Sequence, residues 1–166
     1  FICHGNPDPL DGWEARIPFP SNVVRFGPDV TFEKIDPLDA QSPLVYGVSY
    51  PTREMRESLV ARFPKPQPGH YCIGLMHANV GVNTGHEAYA ACSLGELAES
   101  GYDYWALGHV HTANVLRDRN PTVIYPGNPQ GRHIIEPGPR GVYLVEGDEQ
   151  HVTTFDFLTL DAVRWE

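Results

Sequence analysis

Sixteen prolines and sixteen glycines run from end to end of this 166-residue chain, and no other feature restricts its fold as much. Proline removes a backbone donor and fixes φ, while glycine supplies the turns that other residues resist. Spread evenly, they fit many short elements joined by tight turns better than a helical bundle or a disordered tail. Between them lie runs rich in β-branched and aromatic residues. These predict strands over 22–26, 30–35, 44–49, 71–76, 104–107, 113–116, 122–125, 141–146 and 152–157.

Two helices are expected. Thr52 offers an N-cap ahead of residues 53–63, where Met55, Leu59 and Phe63 recur every fourth position until Pro64 stops the run. Ser93 caps residues 94–100, with Glu96 at the capping-box position and Gly101 just past the end. Strands interleaved with a few helices point to an α/β or α+β sandwich.

A hydrophobic content of 41% with 20% charged residues suits one globular domain, or part of one. The apolar triplet Phe1-Ile2-Cys3 reads as the end of a buried strand, so a piece of a longer polypeptide is expected. No stretch approaches the roughly 20 apolar residues that cross a bilayer, and no leader pattern is visible, so no membrane partner and a cytoplasmic location are expected. Cys3, Cys72 and Cys92 are far apart and form no Cys-x-x-Cys pair, which argues for reduced core thiols. The net charge of −9 argues against a broad basic surface that grips nucleic acid through many phosphates. Phosphate recognition, if present, has to be local.

Three islands of metal-ligand chemistry stand out. In Gly108-His109-Val110-His111 two histidines follow the apolar run Tyr104 to Leu107, and residues two apart on an extended segment project to one side. Cupin and metallo-β-lactamase sites also use His-x-His, but the continuation Thr112-Ala113-Asn114-Val115 supplies neither the glutamate of the first nor the Asp-His of the second. The plain alternative is two histidines hydrogen-bonded at a strand end. His77 follows Ile73-Gly74-Leu75-Met76, where an open sheet delivers side chains into a cleft beyond its strand ends. Asn6 sits in the turn His4-Gly5-Asn6-Pro7-Asp8, and a neutral amide oxygen suits a hard divalent cation held beside imidazoles. Asn-Pro is equally a common turn dipeptide. Together the islands suggest a metal-assisted phosphoesterase.

In order along the chain, Gly5-Asn6-x-Asp8-Pro9-Leu10, Gly74-Leu75-Met76-His77-x-Asn79-Val80, Gly85-His86-Glu87, residues 101–111 and Tyr125-Pro126-Gly127-Asn128-Pro129-Gln130-Gly131-Arg132-His133 resemble calcineurin-like metallophosphoesterases. The branch resembled is that of the YhaO-type and SbcD-type DNA repair exonucleases. The resemblance implies part of a four-layer αββα sandwich with two mixed sheets, lacking its first strands. Residues 1–158 would be the C-terminal part of the nuclease domain, and 159–166 a final strand or linker. It implies two divalent ions, usually manganese, that clamp a phosphodiester and the attacking hydroxide. By matching position Asn6, His77 and His109 would bind one ion and His111 the other. DNA as substrate and a coiled-coil ATPase as partner follow by the same analogy. The family's opening Asp-x-His and its metal-bridging Asp have no counterpart here, so the site is expected to be incomplete and the piece weakly active or inactive.

The family pattern Gly-Asn-His-Asp reads Gly5-Asn6-Pro7-Asp8 in this chain. That histidine steadies the transition state or protonates the leaving group, and a pyrrolidine ring does neither. No catalytic acid or base is therefore assigned, and His4 is a poor substitute because adjacent positions rarely share a direction. His86 and Glu87 are expected to shape a loop or orient ligands. Arg132 and His133 are candidates for a phosphate contact, set against simple salt bridging to Glu136. Trp13, Trp105 and Trp165 are scattered and suggest packing, not a stacking platform. The rival readings are a non-catalytic scaffold of the same fold and a phosphoesterase acting on nucleotides or small phosphodiesters.

Overall fold

The computed structural model describes residues 1–12, 18–81, 90–148 and 152–166. The described residues form a mixed α/β structure with two sheets and few helices, consistent with part of a metallophosphoesterase sandwich. The larger sheet contains β1 (Thr31–Lys34), β2 (Leu44–Gly47), β3 (Cys72–His77), β4 (Tyr104–Gly108), β5 (Asn114–Arg117) and β6 (Thr122–Tyr125) in the spatial order β1-β2-β3-β4-β6-β5. Its centre, β2 through β4 to β6, is parallel, and antiparallel β1 and β5 close the two edges. A separate antiparallel hairpin pairs β7 (Gly141–Gly147) with β8 (Val152–Thr159).

The central strands alternate between the two sides of the sheet. Cys72, Gly74 and Met76 of β3 are buried while Ile73, Leu75 and His77 are half-exposed, and β4 buries Trp105 and Leu107 in the same way. This period of two is what a strand with one well-covered face requires. The covered face packs on Leu59, Leu97, Tyr102 and Phe63. Gly74 permits the closest approach: a Cβ there would lie 2.3 Å from the Trp105 ring, so only glycine lets the indole lie against β3. The indole N–H donates to Ser100 Oγ at 3.2 Å and ties the sheet to the end of the one α-helix among the described residues.

That helix, α1 (Leu94–Glu99), starts as the sequence predicts. Ser93 and Glu96 form a reciprocal capping box, and Gly101 takes φ +85° just beyond the C-cap. The helix predicted over residues 53–63 does not form, and only a 3-10 turn at Val60–Arg62 appears. The Ala90 N–H donates to the Met55 carbonyl at 2.7 Å, claiming an acceptor that a helix would give to residue 59. Tertiary pairing overrides a weak local period there. Leu59 and Val60 are still buried, as their apolar character demands.

Residues 22–26 make no full strand. Ile2 pairs with Arg25 in a single parallel bridge, supported by the Ile2 N–H on Val24 O and the Phe26 N–H on Ile2 O. Pro20 begins a turn and Pro28 follows closely, which leaves too little free backbone for a longer ladder. After β8 the chain returns over the segment that follows β6. Gln130 Oε1 accepts the N–H groups of Ala162 and Val163, and Gly138 donates to the Trp165 carbonyl. Among the described residues no helix is long and apolar enough to cross a membrane.

Candidate metal centre

The parallel register places His77, the last residue of β3, opposite Gly108, the last residue of β4. His109 therefore emerges beside His77 at the carboxyl ends of neighbouring strands, where open α/β sheets place their ligands. A third segment joins them. Tyr50 donates its N–H to the His4 carbonyl at 3.0 Å, and Leu10 donates to Tyr50 O at 2.9 Å, which docks the His4-to-Asp8 turn alongside the exit from β2.

Three donor atoms meet at this corner. His77 Nε2 lies 2.7 Å from Asn6 Oδ1 and 3.2 Å from His109 Nδ1. An octahedral divalent ion with bonds near 2.1 Å separates neighbouring ligand atoms by about 3.0 Å, so these spacings match one coordination shell. Nitrogen and amide-oxygen donors also suit manganese or a similar ion. The residues present fit such an ion. Among the described residues no three His, Cys, Asp or Glu side chains share one metal-holding position. The third donor here is an amide, Asn6.

Several features fix the three. The Asp8 carboxylate accepts the Gly5 N–H at 2.9 Å and faces His4 Nδ1 at 3.1 Å, which locks the turn and aims Asn6. The backbone of Gly5 lies on the His77 imidazole, since a Cβ there would come within 2.3 Å of Nδ1, and a Cβ on Gly108 would reach 3.0 Å from the same atom. Tyr50 meets the His77 ring edge-on at 5.5 Å. His109 adopts φ +102°, an uncommon conformation for a residue with a Cβ, and such strain persists where surrounding structure enforces it.

Burial pushes the His77 imidazole down to about 3, helped by His109 and then His111. The ring is therefore neutral near pH 7, the state a ligand needs. His111, which the resemblance assigns to the other ion, is held through one ring nitrogen by a carboxylate. Its Nδ1 faces Glu136 Oε1 at 2.6 Å, while the same carboxylate accepts the Arg132 N–H at 2.8 Å and Asn128 Nδ2 at 3.3 Å. The Arg132 amide, followed by His111 and Asn128, holds the Glu136 carboxyl down to about 2. From the sequence alone Glu136 is visible only as a salt-bridge partner of Arg132. Its link to His111 spans 25 residues and has no local signal.

His4 is buried at 3% exposure with its ring turned to Asp8, so it does not occupy the place of a histidine at position 7. Pro7 itself is exposed on the turn. His86, Glu87 and Trp13 lie outside the described residues. Trp105 is fully buried, as a packing role requires.

No family model matches the chain. Among curated proteins it is similar to the uncharacterized metallophosphoesterase YhaO of Bacillus subtilis (strain 168), with 37% identity over 171 aligned residues. That alignment takes in all of this chain and 41% of the relative, so the chain spans less than half the length of the protein it matches. Similarity along the whole chain, together with a mixed sheet whose parallel strand ends bring His77 and His109 beside Asn6, supports placing the chain in the metallophosphoesterase family.

Proposed function

We propose that this chain supplies one half of a two-ion phosphodiesterase centre, and that the protein is a manganese-dependent DNA exonuclease. One observation carries the proposal: Asn6 Oδ1, His77 Nε2 and His109 Nδ1 converge at ligand-to-ligand distances where β3 and β4 end. Divalent ions at such a centre neutralise phosphodiester charge and supply a nucleophile near neutral pH. The chain's own residues hold and orient. Asn6 and His109 face His77 across the corner, and Gly5 and Gly108 keep the His77 ring from turning. Glu136 takes Nδ1 of His111, so a cation held by that ring would meet Nε2, as in the carboxylate–histidine pairs that orient metal ligands. DNA as substrate, a coiled-coil ATPase as assembly partner and a cytoplasmic setting belong to the same proposal.

Pro7 favours a second reading, in which the fold serves as a non-catalytic scaffold. Turnover of a chromogenic phosphodiester by the complete protein separates the two. On the first reading, hydrolysis requires manganese and falls by about 100-fold or more in His77→Ala, while Pro7→His raises it by about 100-fold, the lower range of general acid–base assistance. Absence of manganese-dependent hydrolysis in both the parent and Pro7→His establishes the scaffold reading instead.

A further inference from the structure

Beside His111 lies a cavity of about 590 Å³ whose wall includes Arg132, His133, Glu136 and Arg140. In a chain of net charge −9, this is a local concentration of cationic groups. Glu136 does not neutralise it through ion pairs with the arginines, because its oxygens are taken by His111, Asn128 and the backbone N–H of Arg132. Arg140 is only 6% exposed, yet its guanidinium meets carbonyl oxygens alone: those of His111, the Asn128 side chain and Pro137. Its Nε is buried without a hydrogen-bond partner. A guanidinium withdrawn from water and given only neutral acceptors has no counter-ion among its hydrogen-bond partners in the cavity wall. Arg132 adds a second guanidinium from the exposed rim, and its side chain forms no ion pair with Glu136.

We infer that this cavity is a subsite for a phosphate next to the one being cleaved, so that the centre takes a nucleic-acid strand and not an isolated phosphodiester. The inference rests on the phosphodiesterase reading for its position and on the cationic wall for its ligand. Arginine presents a planar fork that matches phosphate oxygens, and the cavity is lined by His111, two residues along the chain from His109. Arg140 anchors the wall by gripping the main chain of His111 and the side chain of Asn128, while Arg132 reaches the ligand.

The test is fluorescence anisotropy of a labelled single-stranded deoxyribonucleotide dodecamer with the complete protein, in chelator and over a range of salt. Working without metal keeps this result independent of whether the centre hydrolyses anything. Arg132→Ala should weaken binding about 5- to 10-fold and lower the salt slope by about one, the signature of one lost phosphate contact. Arg132→Lys should restore most of the slope. Arg119→Ala, an exposed arginine beside Asp118 and outside the cavity, controls for net charge and should change little. Equal affinities and slopes for the parent and Arg132→Ala would overturn the inference, as would the absence of dodecamer binding at low salt. Displacement of the dodecamer by millimolar inorganic phosphate would mark a cradle for free phosphate and overturn the assignment to a strand.

Discussion

Replacing Gly5 by alanine is expected to lower manganese affinity by about 100-fold while leaving the sheet assembled. The added methyl would lie 2.3 Å from His77 Nδ1, and the ring has no free direction in which to retreat, because Gly108 approaches the same nitrogen from another side and Tyr50 meets it edge-on. His77 would have to leave the position it shares with Asn6 and His109. Even outer-shell changes around a metal ligand cost about 10–100-fold in affinity, so displacing a ligand falls at the upper end or beyond. Overpacking of this kind destabilises by about 1–3 kcal/mol, which a folded domain can survive. Gly27→Ala is the matched control, since a Cβ there meets nothing within 4 Å. Manganese binding followed by electron paramagnetic resonance should show the loss in Gly5→Ala alone. Unchanged affinity in Gly5→Ala would mean that the ring's placement has no part in binding.

The second large effect is acid sensitivity in the presence of chelator. His77 has its folded-state basicity lowered from 6.5 to about 3, chiefly by burial and then by His109 and His111. The native state therefore stays unprotonated as pH falls below 6.5, whereas the unfolded chain takes up a proton. Stability is fully present above the unfolded value and is lost on acidification at about 1.4 kcal/mol per pH unit, until the folded ring itself protonates near pH 3. Between pH 7.5 and 5.0 the loss from this one group is about 2 kcal/mol. The carboxylates with lowered values, among them Glu136 and Glu96, act in the same direction but only below the ordinary carboxylate range. The window from pH 6.5 to 5 thus lies above the titration of those carboxylates, and the comparison with His77→Gln separates this imidazole from the chain's other histidines. Urea unfolding at several pH values should show the slope in the parent protein and lose it in His77→Gln. A slope unchanged by His77→Gln would place the acid sensitivity elsewhere.

The strands of the central sheet are legible in the sequence because they are short apolar runs, most with β-branched or aromatic residues, set between turn-forming segments. Residues 122–125 form β6 with the predicted bounds, and the predicted 71–76 is displaced by one residue so that His77 closes β3. The capping box at Ser93 and Glu96 was legible because its chemistry is local. Residues 53–63 misled for the opposite reason. Their period of four was genuine, but the hydrogen bond from Ala90 to Met55 is set by a distant part of the chain and leaves no trace in spacing. The same contrast holds at the candidate centre. Asn6, His77 and His109 announced themselves as ligand-type residues after turns or apolar runs. Glu136 and Arg140 gained importance only when the segment following β6 folded back onto His111.

The central claim is that Asn6 Oδ1, His77 Nε2 and His109 Nδ1 surround a single cation position. A crystal of the protein soaked in manganese, with data collected at the manganese absorption edge, tests it most directly. An anomalous peak among those three atoms is the predicted result. A manganese-soaked crystal without that peak, or with its peak only at other residues, would contradict the account.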